Sequence, residues 1–311
     1  MASKNLTHTL VADKKKIPKE LQTNRYRTQA RRAYAIIIPF LAYMALWTIF
    51  PLGFGLFLGF TDFTGLNEVN FRGLRNFERF FSSPTYPTLL VRQTWLGFLN
   101  VGLTMFFSFV LALALNKPFK GRGIFRAVVY MPHIAAVTAT TAVFVALLDP
   151  YQGAMNQAIE ALGGSPIIWS YSAFWMFVWI IFFNVWRGIG PAAILWLGGL
   201  QGIDPMLYEA ARVDGASKWQ EIRYITLPGL RFITMFVMLT GIIGAMQMFD
   251  SVMFISKGGP ALQTDVIMYR IYRDGFLNAN FGMAGASSWV LGFAILIFAF
   301  VYYQIARRKI D

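Results

Sequence analysis

Cysteine, histidine and acidic side chains are all scarce in this chain of 311 residues. The absence of cysteine excludes a disulfide framework and a thiolate metal site. The two histidines have no paired carboxylates at helical spacing, so we find no catalytic constellation and expect neither an enzyme nor a metal centre. The P-loop pattern Gly-x-x-x-x-Gly-Lys-Ser/Thr is also missing, so we expect no ATP and no other cofactor on this chain.

Apolar residues dominate instead. They make up 56% of the chain, whereas charged residues make up 14%. Runs of about 20 apolar residues are long enough to cross the hydrocarbon layer of a membrane. They leave no room for a separate soluble domain of any size, and they predict an all-α, polytopic membrane protein with six transmembrane helices. The six runs lie at about 34–60, 94–115, 124–148, 171–199, 229–250 and 284–306.

The formal net charge of +13 follows membrane topology and does not indicate nucleic-acid binding. With both termini inside, the inner segments carry 20 Lys and Arg and the outer loops carry 7. This excess predicts a multi-pass protein of a bacterial or archaeal cytoplasmic membrane with cytoplasmic termini. Residues 1–33 are predicted to be a basic cytoplasmic tail near anionic lipid headgroups, ahead of a transmembrane domain at 34–311.

A polar segment at about 203–228 separates the fourth and fifth apolar runs. Asp204 is a good N-cap and Pro205 a good first helical residue, so a helix is predicted to begin there. Gly215 suits the left-handed position that ends a helix. Ser217, with Gln three positions later, predicts a capping box for a second short helix. This helix–turn–helix is too polar to insert, so it either lies on lipid as an amphipathic helix or docks on a partner.

The order of residues in this segment favours docking. Glu209-Ala210-Ala211, then Gly215, then Ile225-x-Leu227-Pro228, resembles the signature loop of ABC-importer permeases. The resemblance implies that the loop docks on a separate ATPase subunit, which binds the ATP and Mg²⁺. The residues expected to meet that subunit are Tyr208, Glu209, Ala210, Ala211, Asp214 and Gly215.

Two further motifs extend the resemblance over almost all of the chain from residue 34 onward. The stretch 71–77, Phe-Arg-Gly-Leu-Arg-Asn-Phe, and the stretch 249–260, which ends in Gly-Gly-Pro, are similar to the first permease of the maltose and oligosaccharide importer group. Ser256 stands where that group usually has Thr. The resemblance implies a type I ABC-importer permease fold and ATP-driven alternating access. It also implies a second permease subunit, two ATPase subunits, an extracytoplasmic solute-binding protein and a di- or oligosaccharide as solute.

Polar groups within the predicted spans are costly and therefore indicate a cavity or a partner helix. In the fourth span, Trp186 offers a stacking face, Arg187 offers donors, and the nearby glycines with Pro191 are expected to loosen the helix. Leu is usual at the position of Arg187 in the maltose permease, so this contact is expected to differ here. The positive charge of Arg187 makes an acidic sugar or a glycerol phosphate derivative an alternative solute. Packing at the permease interface is an alternative role for each residue. Trp186 is predicted to line the solute path. The resemblance to the maltose-type permeases implies the same role for Asn184, Arg187, Gly188, Gly244, Gln247 and Met248.

An ion-coupled secondary transporter is the alternative from another class. Such a transporter needs carboxylates at the middle of the bilayer. The second, third and sixth apolar runs contain no Asp or Glu, which favours the importer.

Overall fold

The computed structural model describes residues 19–66 and 68–308. Over these residues the chain is helical, as predicted, and extended backbone pairs only in an isolated bridge between Thr61 and Phe71. The first seven helices are α1 Lys19–Met44, α2 Phe50–Gly59, α3 Arg75–Ser82, α4 Thr85–Asn116, α5 Arg122–Ile134, α6 Val137–Leu147 and α7 Ala154–Ala161. The next seven are α8 Ala173–Gln201, α9 Pro205–Val213, α10 Lys218–Glu221, α11 Leu227–Gly229, α12 Arg231–Ala245, α13 Ile267–Tyr272 and α14 Phe281–Arg307.

The chain divides into two compact units between Gly55 and Leu56. In the first unit, α1 continues through a π-helical segment, Ala45–Ile49, into the start of α2. Residues 1–18 of the predicted N-terminal tail lie outside the described residues. Residues 19–33 belong to α1, because this stretch is rich in good helix formers and has no Gly or Pro.

Four helical stretches are long and apolar enough to span a membrane: Arg31–Gly59, α4, α8 and α14. Two bent pairs pass the same test together. The axes of α5 and α6 meet at 92°, and the helical stretch Lys218–Gly229 meets α12 at 71°. The described chain therefore has four clear spans, or up to six if each bent pair is counted as one span.

Two helix boundaries in the structure differ from those predicted from the sequence. α4 begins at Thr85 and not near residue 94, so the end of the predicted outer loop is helical. α12 ends at Ala245 and not near residue 250. A tertiary contact accompanies the second change: the Gln93 side-chain Nε2 of α4 donates to the carbonyls of Ala245 and Met248, at 3.2 and 3.4 Å, and so holds the turn that follows α12.

The core of the second unit forms where α4, α8 and α12 pack together. A buried cluster includes Ala112 of α4, Ala193 and Trp196 of α8, and Val237 of α12. The Trp196 Nε1 atom donates to Ser108 Oγ at 3.1 Å, so the indole is satisfied inside the apolar contact. This packing fixes the three helices that carry most of the polar side chains considered below.

The stretch 71–77, which we call the clasp, connects two parts of the chain. The Asn76 Nδ2 atom donates to the carbonyls of Gly59 and Thr61, at 3.0 and 2.7 Å. Arg72 Nε donates to Asp62 Oδ2 at 2.8 Å, and this bond is the main cause of the lowered pKa of the Asp62 carboxyl. The stretch 71–77 therefore holds the end of α2 to the loop that follows it.

The Gly-Gly-Pro motif is closed by two hydroxyl side chains. Thr264 Oγ1 donates to the Gly259 carbonyl at 2.6 Å and lies 2.9 Å from Ser256 Oγ. Ser256 Oγ in turn accepts from the backbone N–H of Gly258 at 3.2 Å. Serine supplies the one hydroxyl that this arrangement uses at position 256, so it serves where the family that the sequence resembles is expected to have threonine.

Candidate functional site

A cavity of about 470 Å³ lies among α4, α8, α12 and the junction of α5 with α6. Its wall is mostly apolar and carries a few polar side chains, the usual composition of a small-molecule site. The polar side chains of the wall are Asn100, Thr104, His133, Asn184, Arg187, Thr240 and Asp250.

Five of the seven residues predicted to line the solute path lie in this wall: Asn184, Arg187, Gly188, Gly244 and Met248. The other two do not. The Trp186 ring packs 5.4 Å from the ring of Phe144 and 6.2 Å from that of Phe183, so its face is used by aromatic neighbours. Gln247 is exposed in the turn after α12 and lies outside the lining. Trp186 therefore offers no stacking platform to this cavity.

Arg187 is partly occupied by the protein itself. Its Nε atom donates to the Pro132 carbonyl at 3.2 Å, and its Nη2 atom donates to the His133 carbonyl at 3.3 Å. These carbonyls lie at the end of α5, where the chain turns through Ala135 and Ala136 into α6. The last carbonyls of a helix lack intrahelical partners. Arg187 therefore stabilises the 92° break and keeps only part of its guanidinium for the cavity.

Asn184 joins α8 to the segment after α12. Its Nδ2 atom donates to the Ile180 carbonyl and to Ser251 Oγ, both at 2.7 Å. Both amide hydrogens are thus used within the chain. The side-chain oxygen is the atom that remains to accept a hydrogen bond from a solute.

α8 is continuous from Ala173 to Gln201, although the glycines and Pro191 were expected to loosen it. The glycines serve close packing instead. A Cβ at Gly188 would lie 3.1 Å from the Thr104 methyl group, and a Cβ at Gly190 would collide with the Val129 carbonyl. Because α4 and α5 approach α8 so closely here, the helix is supported on two sides and stays wound.

Four polar residues of the wall are not among those predicted to line the solute path: Asn100, Thr104, His133 and Asp250. Asn100 and Thr104 are four residues apart on α4, so they share one face of that helix. This pairing of an amide with a hydroxyl inside an apolar run is the signal by which they could have been found. Among the described residues, Asp250 makes no ion pair with Arg187 within 4.0 Å.

The helix–turn–helix after α8 forms as the sequence predicts. Asp204 caps α9, since its Oδ1 atom accepts from the Met206 N–H at 2.9 Å, and Pro205 is the first helical residue. Gly215 has a φ of +80°. The Ala216 N–H donates to the Ala211 carbonyl at 2.8 Å, which completes a Schellman ending for α9.

The capping box of α10 is also present. The Gln220 N–H donates to Ser217 Oγ at 3.4 Å, and Gln220 Oε1 accepts from the Ser217 N–H at 2.7 Å. The N-terminus of α10 is thus satisfied in both directions. We call residues 203–228 the coupling segment.

Two side-chain links brace the coupling segment internally. Glu221 is almost fully buried, with a side chain 7% exposed, and its carboxylate accepts from Arg212 at 3.1 Å and from Lys218 at 2.9 Å. The hydroxyls of Tyr208 and Thr226 lie 3.0 Å apart. α9 is therefore held against α10 and the π-helical segment Ile222–Thr226 by contacts that are independent of the turn at Gly215.

Other side chains of the coupling segment are exposed. Glu209, Ala210, Asp214 and Gly215 are exposed, as are several large apolar side chains. The largest exposed fractions among these are Val213 at 88%, Met206 at 71%, Tyr224 at 68% and Trp219 at 64%. A cleft of about 690 Å³ runs between this segment and the end of α4, with Glu209 in its wall. Tyr208, by contrast, is half-buried.

Comparison with known proteins places these features in a family. Residues 103–309 match the family described as binding-protein-dependent transport system inner membrane component, which is 207 of the 311 residues. The lactose transport system permease protein LacF of Rhizobium radiobacter is 28% identical over 294 residues, covering 91% of this chain and 98% of that protein. The trehalose/maltose transport system permease protein MalF of Thermococcus litoralis is 29% identical over 291 residues, covering 92% and 97%.

The fold is shared with a solved transporter. A chain of a bacterial ABC transporter involved in the import of the acidic polysaccharide alginate superposes with a TM-score of 0.82 at 23% identity, covering 94% of this chain and 100% of that chain. The same type of transporter in complex with its alginate pentasaccharide-bound periplasmic protein gives a TM-score of 0.80 at 24% identity, covering 92% and 98%. The type I permease fold predicted from the sequence is confirmed.

The family, its membrane location and its dependence on a binding protein follow from the same match. These matches confirm the resemblance that the sequence of the coupling segment first indicated. The chain belongs to the binding-protein-dependent transport system inner membrane components, the permeases of ABC importers.

Proposed function

We propose that this chain is one permease subunit of an ATP-driven importer for a di- or oligosaccharide. One pair of features carries the proposal: a mostly apolar cavity with a few polar side chains in its wall and, on the same three-helix core, an exposed and internally braced coupling segment. A solute path coupled to a motor on another chain requires both features.

The relatives support a sugar as the solute. LacF and MalF are named for lactose and for trehalose and maltose, and the arabinooligosaccharides transport system permease protein AraP of Halalkalibacterium halodurans is 29% identical over 92% of this chain. An acidic sugar or a glycerol phosphate derivative is the second candidate, favoured by Arg187 in the cavity wall.

In the proposed arrangement the two bent pairs each count as one span, which gives six spans. Both termini and the coupling segment then face the cytoplasm, in keeping with 20 inner and 7 outer Lys and Arg. The proposal places the outer clasp at 71–77 and the Gly-Gly-Pro loop on the side from which the binding protein delivers its solute.

The proposed coupling runs through the exposed face of the coupling segment. Glu209 and the open turn at Gly215 are free to meet an ATPase subunit, and the neighbouring apolar side chains offer buried area for a stable contact. The sequence has no P-loop, so ATP and Mg²⁺ bind on two partner ATPase subunits. A second permease subunit closes the other side of the pore, and ATP-driven closure of the ATPases switches the cavity between inward and outward access.

The test is reconstitution of the chain with its partner subunits in proteoliposomes. We expect uptake of labelled sugar to require ATP, the solute-binding protein and an intact coupling segment. Glu209→Gln should weaken co-purification of the ATPase subunits, since it removes a charged contact at the docking face.

Two results would contradict the proposal. Uptake that follows an imposed ion gradient without ATP would favour the secondary transporter. Full ATPase binding and full uptake by both Glu209→Gln and Gly215→Val would remove the docking role from the coupling segment.

A further inference from the structure

We propose that Asn100 and Thr104 of α4 bind the solute, and that the cavity selects an uncharged, hydroxyl-bearing sugar over an acidic one. This inference rests on the proposed function and names the substrate class of the same cavity.

Asn100 carries an unused donor at the cavity. The residue is 8% exposed, yet its Nδ2 atom is buried and donates to none of the described residues. Asn184, the other amide of the wall, uses both of its amide hydrogens within the chain. Buried polar groups are nearly always hydrogen-bonded, so an unused donor in a cavity wall indicates a ligand atom.

Thr104 repeats the pattern one turn further along α4. Its Oγ1 atom is buried and has no hydrogen-bond partner among the described residues. Most other threonines of the spans bond their own helix: Thr94 donates to the Leu90 carbonyl at 2.8 Å, and Thr240 donates to the Phe236 carbonyl at 2.8 Å. Thr104 also lies against Gly188, so the missing side chain of that glycine leaves room for the threonine at the wall.

The charges of the wall are balanced. Arg187 supplies one positive charge, and two of its nitrogens already donate to carbonyls at the end of α5. Asp250 supplies one negative charge, and it is exposed without an ion pair among the described residues. An acidic sugar would need surplus positive charge to replace its hydration. Arg187 and Asp250 leave no such surplus.

A neutral sugar fits the groups that remain. Hydroxyls both donate and accept, so they match an amide with an unused donor, an amide oxygen and a threonine hydroxyl. The apolar remainder of the wall suits the faces of sugar rings. The geometry thus assigns α4 a share of solute binding beside α8 and α12.

The absence of cysteine makes a direct test possible. Thr104→Cys introduces a single thiol into a chain that has none. The matched control is Thr88→Cys, which places the thiol at an exposed position at the outer end of α4. The variants are assembled with cysteine-free partner subunits in proteoliposomes. Uptake of maltotriose, lactose, trehalose and tri-galacturonate is measured first, and the sugar that is taken up is then used as the protecting ligand.

We expect a neutral sugar to be taken up and to slow methanethiosulfonate labelling of Thr104→Cys, but not of Thr88→Cys. Equal labelling of Thr104→Cys with and without the transported sugar would overturn its place in the site. Preferred uptake of tri-galacturonate would overturn the substrate class. Failure of every sugar to enter an assembled complex counts against the proposed function itself.

The balance between the charges of Arg187 and Asp250 is tested by a separate measurement, the ratio of two labelling rates. With Thr104→Cys, an anionic ethylsulfonate reagent and a cationic ethylammonium reagent should react at the ratio seen with a free thiol. Adding Asp250→Asn should shift this ratio toward the anionic reagent. A strong anionic preference before that change would mean surplus positive charge and would contradict an uncharged solute.

Asn100→Leu is the second variant, because it keeps the size of the side chain and removes its donor. We expect uptake to fall about tenfold while the ATPase subunits still co-purify. Unchanged uptake would exclude Asn100 from the site. If Asn100→Leu does not assemble, the labelling of Thr104→Cys decides the matter.

Discussion

The Arg212 Nε atom donates to Glu221 Oε1 at 3.1 Å, across the turn that separates α9 from α10. Lys218 donates to both oxygens of the same carboxylate at 2.9 Å. One nearly buried acid thus joins a cation from each helix of the coupling segment. In the proposed function this segment would transmit movement from an ATPase subunit, and such a brace suits that role because a loose turn would absorb the movement.

Glu221→Gln should loosen the coupling segment. The change removes the negative charge that Arg212 and Lys218 share and leaves these two cations without a charged partner. We expect weaker co-purification of the ATPase subunits and more ATP hydrolysed per sugar imported. Glu160→Gln, at an exposed position of α7, is the control and should change neither quantity. Wild-type coupling in Glu221→Gln would show that the brace is dispensable.

Gly215→Val should disturb the same segment through the backbone alone. Gly215 has a φ of +80°, and a Cβ there would meet nothing within 4 Å. In this left-handed region a residue with a side chain destabilises the backbone by about 1–2 kcal/mol, and asparagine destabilises it least. Gly215→Asn should therefore retain more ATPase binding than Gly215→Val. Equal losses in a pull-down of the ATPase subunits would instead indicate that the partner contacts the glycine directly.

Gly190→Ala should separate α5 from α8. The new Cβ would collide with the Val129 carbonyl, which cannot move without its helix. Overpacking of this kind costs about 1–3 kcal/mol. Gly198→Ala, on the same helix with open space around it, is the matched control. The fraction of protein that stays monodisperse after heating in detergent should fall for Gly190→Ala only. A similar fall for both variants would point to the backbone of α8 and not to the contact between Gly190 and the Val129 carbonyl.

Arg187→Leu should destabilise the break between α5 and α6. Two carbonyls, those of Pro132 and His133, would lose their donors. Arg187→Lys should restore part of the stability, since an ammonium is able to serve one of them. The unfolding temperature in detergent should be highest with Arg at position 187, lower with Lys and lowest with Leu. If Arg187→Leu loses uptake with no change in unfolding temperature, the guanidinium acts on the solute and not on the break.

Local chemistry explains which sequence predictions succeeded. Asp204, Gly215 and Ser217 form their caps within a few residues of chain, so short-range sequence is enough to specify them. The long apolar helices follow from composition for the same reason. Pro191 was misleading, because support from α4 and α5 keeps α8 wound where an isolated helix would loosen.

The sequence by itself determined the helical membrane class, the coupling segment and its caps, and the family to which they point. Only the tertiary structure decided which polar groups meet. It turned Trp186 toward Phe144, placed Arg187 on the carbonyls of α5, and brought Asn100 and Thr104 to the cavity. Caps depend on neighbours in the chain, whereas a cavity wall depends on how helices far apart in sequence rotate and cross, and a single sequence does not encode that rotation in any local pattern.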